Sequence, residues 1–108
     1  MDRFEIGTLR AYYGNLLTQK QNETLRLKCD EDLSYGEIAE MFNVSRQAVL
    51  ENIKKGESAL FEFEEKLKLI ARESAVKKCI TEALSMLSDS GIEDVKTLLD
   101  KAIGFLEE

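Results

Sequence analysis

The stretch Leu33-Ser-Tyr-Gly-Glu-Ile-Ala-Glu-Met-Phe-Asn-Val-Ser-Arg-Gln-Ala-Val-Leu-Glu-Asn-Ile-Lys-Lys55 decides how this chain is read. Ser34 with Glu37 fits a capping box, a hydroxyl at the N-cap and a carboxylate three residues on. Ser45 offers a second helix start only eleven residues later, so the helix between them is barely two turns long. Leu33 with Ile38, and Val44 with Val49, hold the positions of hydrophobic staples around these caps. Ala39 is small where two helices would cross, and Asn43 tolerates the positive φ that the turn between them requires. Ile38, Phe42, Val44, Val49 and Ile53 supply the apolar contacts on either side. Together these features specify a helix-turn-helix over about residues 34–55.

Outward from this unit the punctuation is also helical. The chain of 108 residues has no proline, so nothing forces the helical ladder to break. Phe4, Ile6, Leu9 and Tyr13 predict a first helix over 2–12 that ends near Gly14. Thr18 with Gln21 is another capping box and opens a second helix over 18–29, carrying Leu25, Leu27 and Cys29. Asp30-Glu-Asp32 reads as a solvated acidic break. The third helix covers 34–41, and the fourth starts at Ser45. Val49, Ile53, Gly56, Leu60, Phe63, Leu67 and Ile70 form a heptad seam with one glycine in it, which predicts a very long fourth helix. Val76, Ile80, Ala83, Leu84 and Leu87 then line one helix. After Asp89-Ser-Gly91, with Ser90 and Glu93 as a further capping box, Ile92, Val95, Leu99, Ala102 and Leu106 line the last. The expected fold is all-α, a helix-turn-helix with a long fourth helix and a C-terminal αα-hairpin. It reads as a single domain over 1–108, with the helix-turn-helix core at 17–56 and a helical extension at 57–108.

Composition excludes most chemistry. Without histidine, His-based triads, HExxH zinc sites and histidine general bases are impossible. The six glycines are scattered and form no phosphate loop. Cys29 and Cys79 lack metal-ligand spacing and read as free thiols in a reducing compartment. The carboxylates at Glu62, Glu64 and Glu65 read as a solvated face. No apolar run has the length of a signal peptide or a membrane span. The expectation is a soluble, cytoplasmic, non-enzymatic protein without metal, cofactor or membrane insertion.

Candidate contacts follow from the second helix of the motif. With Val49 and Ile53 inward, its outer face presents Ser45, Arg46, Gln47, Leu50, Glu51, Lys54 and Lys55. In DNA-reading versions such a helix enters the major groove. There Gln47 suits adenine, Arg46 guanine or phosphate, and Glu51 the cytosine amino group. Ser45 and the N–H groups behind it suit a phosphate. The net charge of −6 runs against a simple polyanion binder. It divides as −2 over residues 1–57 (8 basic, 10 acidic) and −4 over 58–108 (7 basic, 11 acidic).

Two resemblances enter here. Leu17-Thr18, Gln21, Leu25, Leu27, Leu33-Ser-Tyr35, Glu37-Ile-Ala39, Val44-Ser-Arg46, Val49, Ile53 and Leu60 resemble region four of bacterial sigma factors, which reads a promoter element. Where sigma modules carry extra basic residues, this chain has Glu51, Asn52, Gly56 and Glu57. A closer resemblance, over about residues 12–69, is to the YlxM-like family. It is carried by Tyr12-Tyr-Gly14, Leu16-Leu-Thr18, Lys20-Gln21, Leu33-Ser34, Glu37-Ile-Ala-Glu40, Asn43-Val-Ser-Arg-Gln-Ala-Val49, Asn52-Ile-Lys54 and Glu64-Glu-Lys-Leu67. These are small bacterial proteins whose genes typically neighbour that of the signal recognition particle GTPase. The resemblance implies a regulatory or accessory role in that pathway, with DNA or the particle's RNA or protein components as partners. Two alternatives stand beside it, a sequence-specific transcriptional regulator and a protein-interaction factor that keeps the helix-turn-helix as scaffold. Phe61, Phe63, Leu67, Leu69 and Ile70 exceed what the short helices can cover. Their surplus apolar surface predicts a partner or homodimer interface.

Overall fold

The computed structural model describes residues 3–87 and 92–107, and among these the regular structure is entirely helical. The chain divides into two compact units, Met1–Leu67 and Lys68–Glu108. The Ser90 capping box and the turn at Asp89–Gly91 lie outside the described residues.

The first unit holds α1 (Arg3–Tyr13), a 3-10 turn (Gly14–Leu16), α2 (Gln19–Cys29), α3 (Tyr35–Phe42) and α4 (Arg46–Leu67). The punctuation expected from sequence is present. Thr18 Oγ1 accepts from the Gln21 N–H while the Gln21 side chain accepts from the Thr18 N–H. Ser34 and Glu37 do the same at the start of α3. Asn43 takes the left-handed conformation, φ 54° and ψ 49°. The Val44 N–H then reaches back to the Ala39 carbonyl at 3.0 Å, the closing bond of a Schellman motif.

The core of this unit is built by Ile6, Leu9, Tyr13, Leu25, Leu27, Ile38, Val49, Ile53 and Leu60. Gly56 is buried where α4 passes α2. Farther along, Leu60 has no exposure, the Phe63 ring stands 6.1 Å from that of Tyr13, and the Tyr13 hydroxyl donates to Glu64 at 2.5 Å. The contacts of the first unit therefore run along α4 as far as Leu67.

Two features differ from the sequence reading. The apolar stripe from Val49 to Ile70 is not one helix. α4 stops at Leu67, Lys68 turns left-handed (φ 56°, ψ 31°), and Ile70 belongs to the following helix. The acidic break is not simply solvated either. Arg10 pairs with Asp30 at 3.1 Å, Arg26 with Glu31 at 3.1 Å, and Arg3 with Asp32 at 3.6 Å. The Arg3 guanidinium also donates to the Cys29 carbonyl at 2.7 Å. Three arginines from α1 and α2 thus hold the loop that leads into α3.

The second unit is a helical hairpin of α5 (Leu69–Met86) and α6 (Ile92–Glu107). Its buried residues are Cys79, Ala83 and Ala102, small side chains that let the two helices approach closely.

Candidate nucleic-acid interface

The site begins with the turn. Asn43 in its left-handed conformation redirects the chain, and Ser45 caps α4 by accepting the Ala48 N–H on its hydroxyl at 3.0 Å. That bond satisfies one of the four unpartnered N–H groups at the helix start. Val49 and Ile53 are buried as expected, which turns the intervening positions outward. Ser45, Arg46, Gln47, Glu51, Lys54 and Lys55 are exposed, and Leu50 is half-buried. The seven residues singled out from sequence therefore share the outer side of the first three turns of α4. Leu50 contributes the least accessible part.

Arg46 reaches back toward α3, its Nε 3.9 Å from where a Cβ on Gly36 would stand. Among the described residues, Arg46, Lys54 and Lys55 form no ion pair, whereas Arg3, Arg10 and Arg26 are engaged with acidic partners. The carboxylate nearest the start of α3, Glu37, is occupied by the capping box. Its bond from the Ser34 N–H holds its pKa below the ordinary carboxylate range. On the outer face of α4 itself Glu51 is opposed by Arg46, Lys54 and Lys55, a local balance of +2 in a chain of net −6. The whole-chain charge therefore misrepresents this face.

Sequence reasoning missed part of the neighbourhood. A hollow of about 180 Å³ opens beside α4, lined by Lys20, Thr24, Phe42, Val44, Asn52 and Lys55 among others. At its edge the Asn52 amide donates to Thr24 Oγ1 at 3.0 Å and to the Lys20 carbonyl at 3.4 Å. Thr24 is 1% exposed, so this bond ties α4 to α2 and sets Lys20 and Lys55 on the rim of one hollow. The available signal was Asn52 itself, a residue that competes with helix geometry, placed in a helix interior. Its partner lies 28 positions away and leaves no local trace.

Of the residues proposed for a partner interface, Phe61, Phe63 and Ile70 are half-buried, with Phe63 beside Tyr13. Leu67 and Leu69 are 43% and 41% exposed. Among the described residues no helix is long and apolar enough to cross a membrane.

Comparison with known proteins agrees with this geometry. The sequence profile of the YlxM / p13-like helix-turn-helix family, UPF0122, matches residues 1–99. The chain is similar to a UPF0122 protein of Desulforamulus reducens, 39% identical over 104 residues that cover 96% of this chain and 89% of the relative. A UPF0122 protein of Clostridium perfringens is 38% identical over 104 residues, covering 94% of this chain and 93% of its own. One from Limosilactobacillus reuteri is 53% identical over 68 residues, covering 63% and 60%. With the capped bihelical unit, the left-handed turn residue and a match over most of its length, the chain belongs to the YlxM / p13-like helix-turn-helix family.

Proposed function

We propose that this protein is a non-enzymatic regulatory factor that binds nucleic acid through the outer face of α4 and acts in the signal recognition particle pathway. The observation that carries the binding is the set of cations Arg46, Lys54 and Lys55, which form no ion pair among the described residues and are exposed beside the Ser45 cap while the other arginines of the unit are engaged elsewhere. Phosphate neutralisation is the main source of affinity for such partners, and here it is available locally despite the acidic chain. In this reading Ser45, Arg46, Lys54 and Lys55 meet phosphates, while Gln47 and Glu51 face bases. Leu50 offers an apolar contact between them. The placement in the particle's pathway is supported by the family resemblance and makes the particle's RNA the first ligand to try.

Titration of the labelled protein with that RNA and with a pool of random duplexes tests the proposal. Binding should weaken as salt rises, and Lys54→Ala should reduce affinity for every sequence and lower the salt slope by about one unit. Preference for the RNA over the duplex pool supports the pathway assignment, and preference for one duplex makes the protein a transcriptional regulator instead. Absence of binding to either at low salt removes nucleic acid as a partner and leaves the helix-turn-helix as a protein-binding scaffold.

A further inference from the structure

The helical hairpin of the second unit leaves most of its large aliphatic side chains at the surface. Between α5 and α6 it buries Cys79, Ala83 and Ala102, with Val76, Val95 and Leu98 half-buried. Ile80, Leu84 and Leu87 on α5 are 43%, 63% and 64% exposed, and Leu99, Ile103 and Leu106 on α6 are 44%, 51% and 67% exposed. Both triplets are spaced by four and then three residues, the step of a helix seam that expects a facing helix. At about 100° per residue, each triplet lies roughly a quarter-turn from the buried seam of its own helix. In an antiparallel pair those rotations bring both stripes to one broad face. Leu106, near the end of α6, shares a hollow of about 410 Å³ with Val76 and Ile80 of α5, as that arrangement requires.

We propose that this face is a homodimer interface, on which two hairpins from two copies of the chain close as a four-helix bundle. Its size fits. At roughly 100 Å² of uncovered apolar area for each of these six side chains, one copy offers on the order of 600 Å² before its polar rim is counted, against ~800 Å² per partner in a standard interface. A patch of this extent stands at the upper end of what single copies leave in water, where such patches commonly serve as interaction surfaces.

Charge selects the occupant. α5 carries Arg72, Lys77 and Lys78 against Glu73 and Glu82, a net +1, and α6 carries Glu93, Asp94, Asp100 and Glu107 against Lys96 and Lys101, a net −2. Beside the two stripes stand Lys77 on α5 and Asp100 and Glu107 on α6, and among the described residues these form no ion pair within the chain. A second copy rotated by a two-fold axis lays its acidic α6 along this basic α5, and the reverse contact follows by symmetry. The seam differs from the one expected around Phe61, Phe63, Leu67, Leu69 and Ile70. It holds whether or not α4 binds nucleic acid.

Light scattering of the whole protein at micromolar concentration should give about twice the chain mass of 12.3 kDa. Leu84→Glu with Ile103→Glu should return the mass to that of one chain. Because that variant can unfold the hairpin, a charge exchange supplies the second test. Lys77→Glu and Asp100→Lys/Glu107→Lys should each weaken self-association, and their mixture should form a mixed dimer in preference to either alone. A misfolded hairpin cannot give that rescue. A wild-type mass near one chain would show the face covered within the chain or by a different protein, and overturns the proposal. So does a dimer that survives Leu84→Glu with Ile103→Glu, or a charge-exchanged mixture that fails to pair.

Discussion

Gly56 on α4 and Leu25 on α2 meet so closely that a Cβ on Gly56 would stand 2.9 Å from Leu25 Cδ1. Leu25 has no solvent exposure, so its methyl group has nowhere open to go. Gly7, on α1, has no heavy atom within 4 Å of its own Cβ position. The two glycines should respond oppositely to one methyl group. Gly7→Ala should stabilise the protein by roughly 0.5–1 kcal/mol through helix propensity alone. Gly56→Ala should destabilise it, the overpacking cost of about 1–3 kcal/mol exceeding that gain. Urea unfolding of both variants checks this, and an equal gain at the two positions would contradict the close crossing.

Ala39 is 5% exposed on the inner side of α3, one turn before Asn43. Ala39→Leu should overpack that side and lower stability by roughly 1–3 kcal/mol. A thermal midpoint unchanged from the parent would remove Ala39 from the contact between the helices of the motif.

Asn43 carries the turn in a left-handed conformation that asparagine tolerates and β-branched residues do not. Asn43→Gly should be near neutral, since glycine enters that region without a Cβ penalty but adds freedom to the unfolded chain. Asn43→Val should cost on the order of 1–2 kcal/mol. Equal stability of the two variants would mean that the turn does not need a positive φ.

Glu37 links the motif to pH. Its folded pKa is lowered by the bonds to Ser34, below the unfolded value of about 4.3. The stability it contributes is therefore fully present above that value and is lost as pH falls through the lowered folded pKa. Glu37→Gln keeps a capping-box acceptor, as Gln21 does after Thr18, and removes the titration. The thermal midpoint of the variant should fall less steeply than that of the parent between about pH 5 and pH 2. Parallel curves would dissociate the cap from acid sensitivity.

What the sequence made legible depended on distance along the chain. The caps at Thr18, Ser34 and Ser45 are read easily because each bond spans three residues. Asn43 is readable because its backbone preference is its own. The pairings of Arg3 with Asp32 and Arg10 with Asp30 span twenty or more positions, so Asp30–Asp32 looked merely solvated. The stop at Lys68 was hidden because no glycine, proline or asparagine marks it and the apolar stripe crosses it to Ile70. In the hairpin the apolar positions were plain, but periodicity cannot tell which of two adjoining stripes faces inward. The small residues Cys79, Ala83 and Ala102 took the inside because they allow close approach. The outer face of α4 was legible as soon as Val49 and Ile53 were assigned inward. Lys20 and Asn52 were not, because only folding brings α2 beside α4.

Between α4 and α5 the chain has one residue, Lys68, and consecutive Cα atoms are about 3.8 Å apart. Such a junction gives almost no reach. If the hairpins pair and α4 binds nucleic acid as proposed, the second helix-turn-helix of the dimer is linked to the first through two such short joints. Its engagement becomes intramolecular, at an effective concentration on the order of millimolar where the spacing of the sites matches, and at nearly zero where it does not. In that arrangement the length of the joint bears on which site spacings can be bridged. Lengthening it with flexible residues after Lys68 should leave each site's intrinsic affinity alone and broaden the range of site spacings that a dimer can bridge.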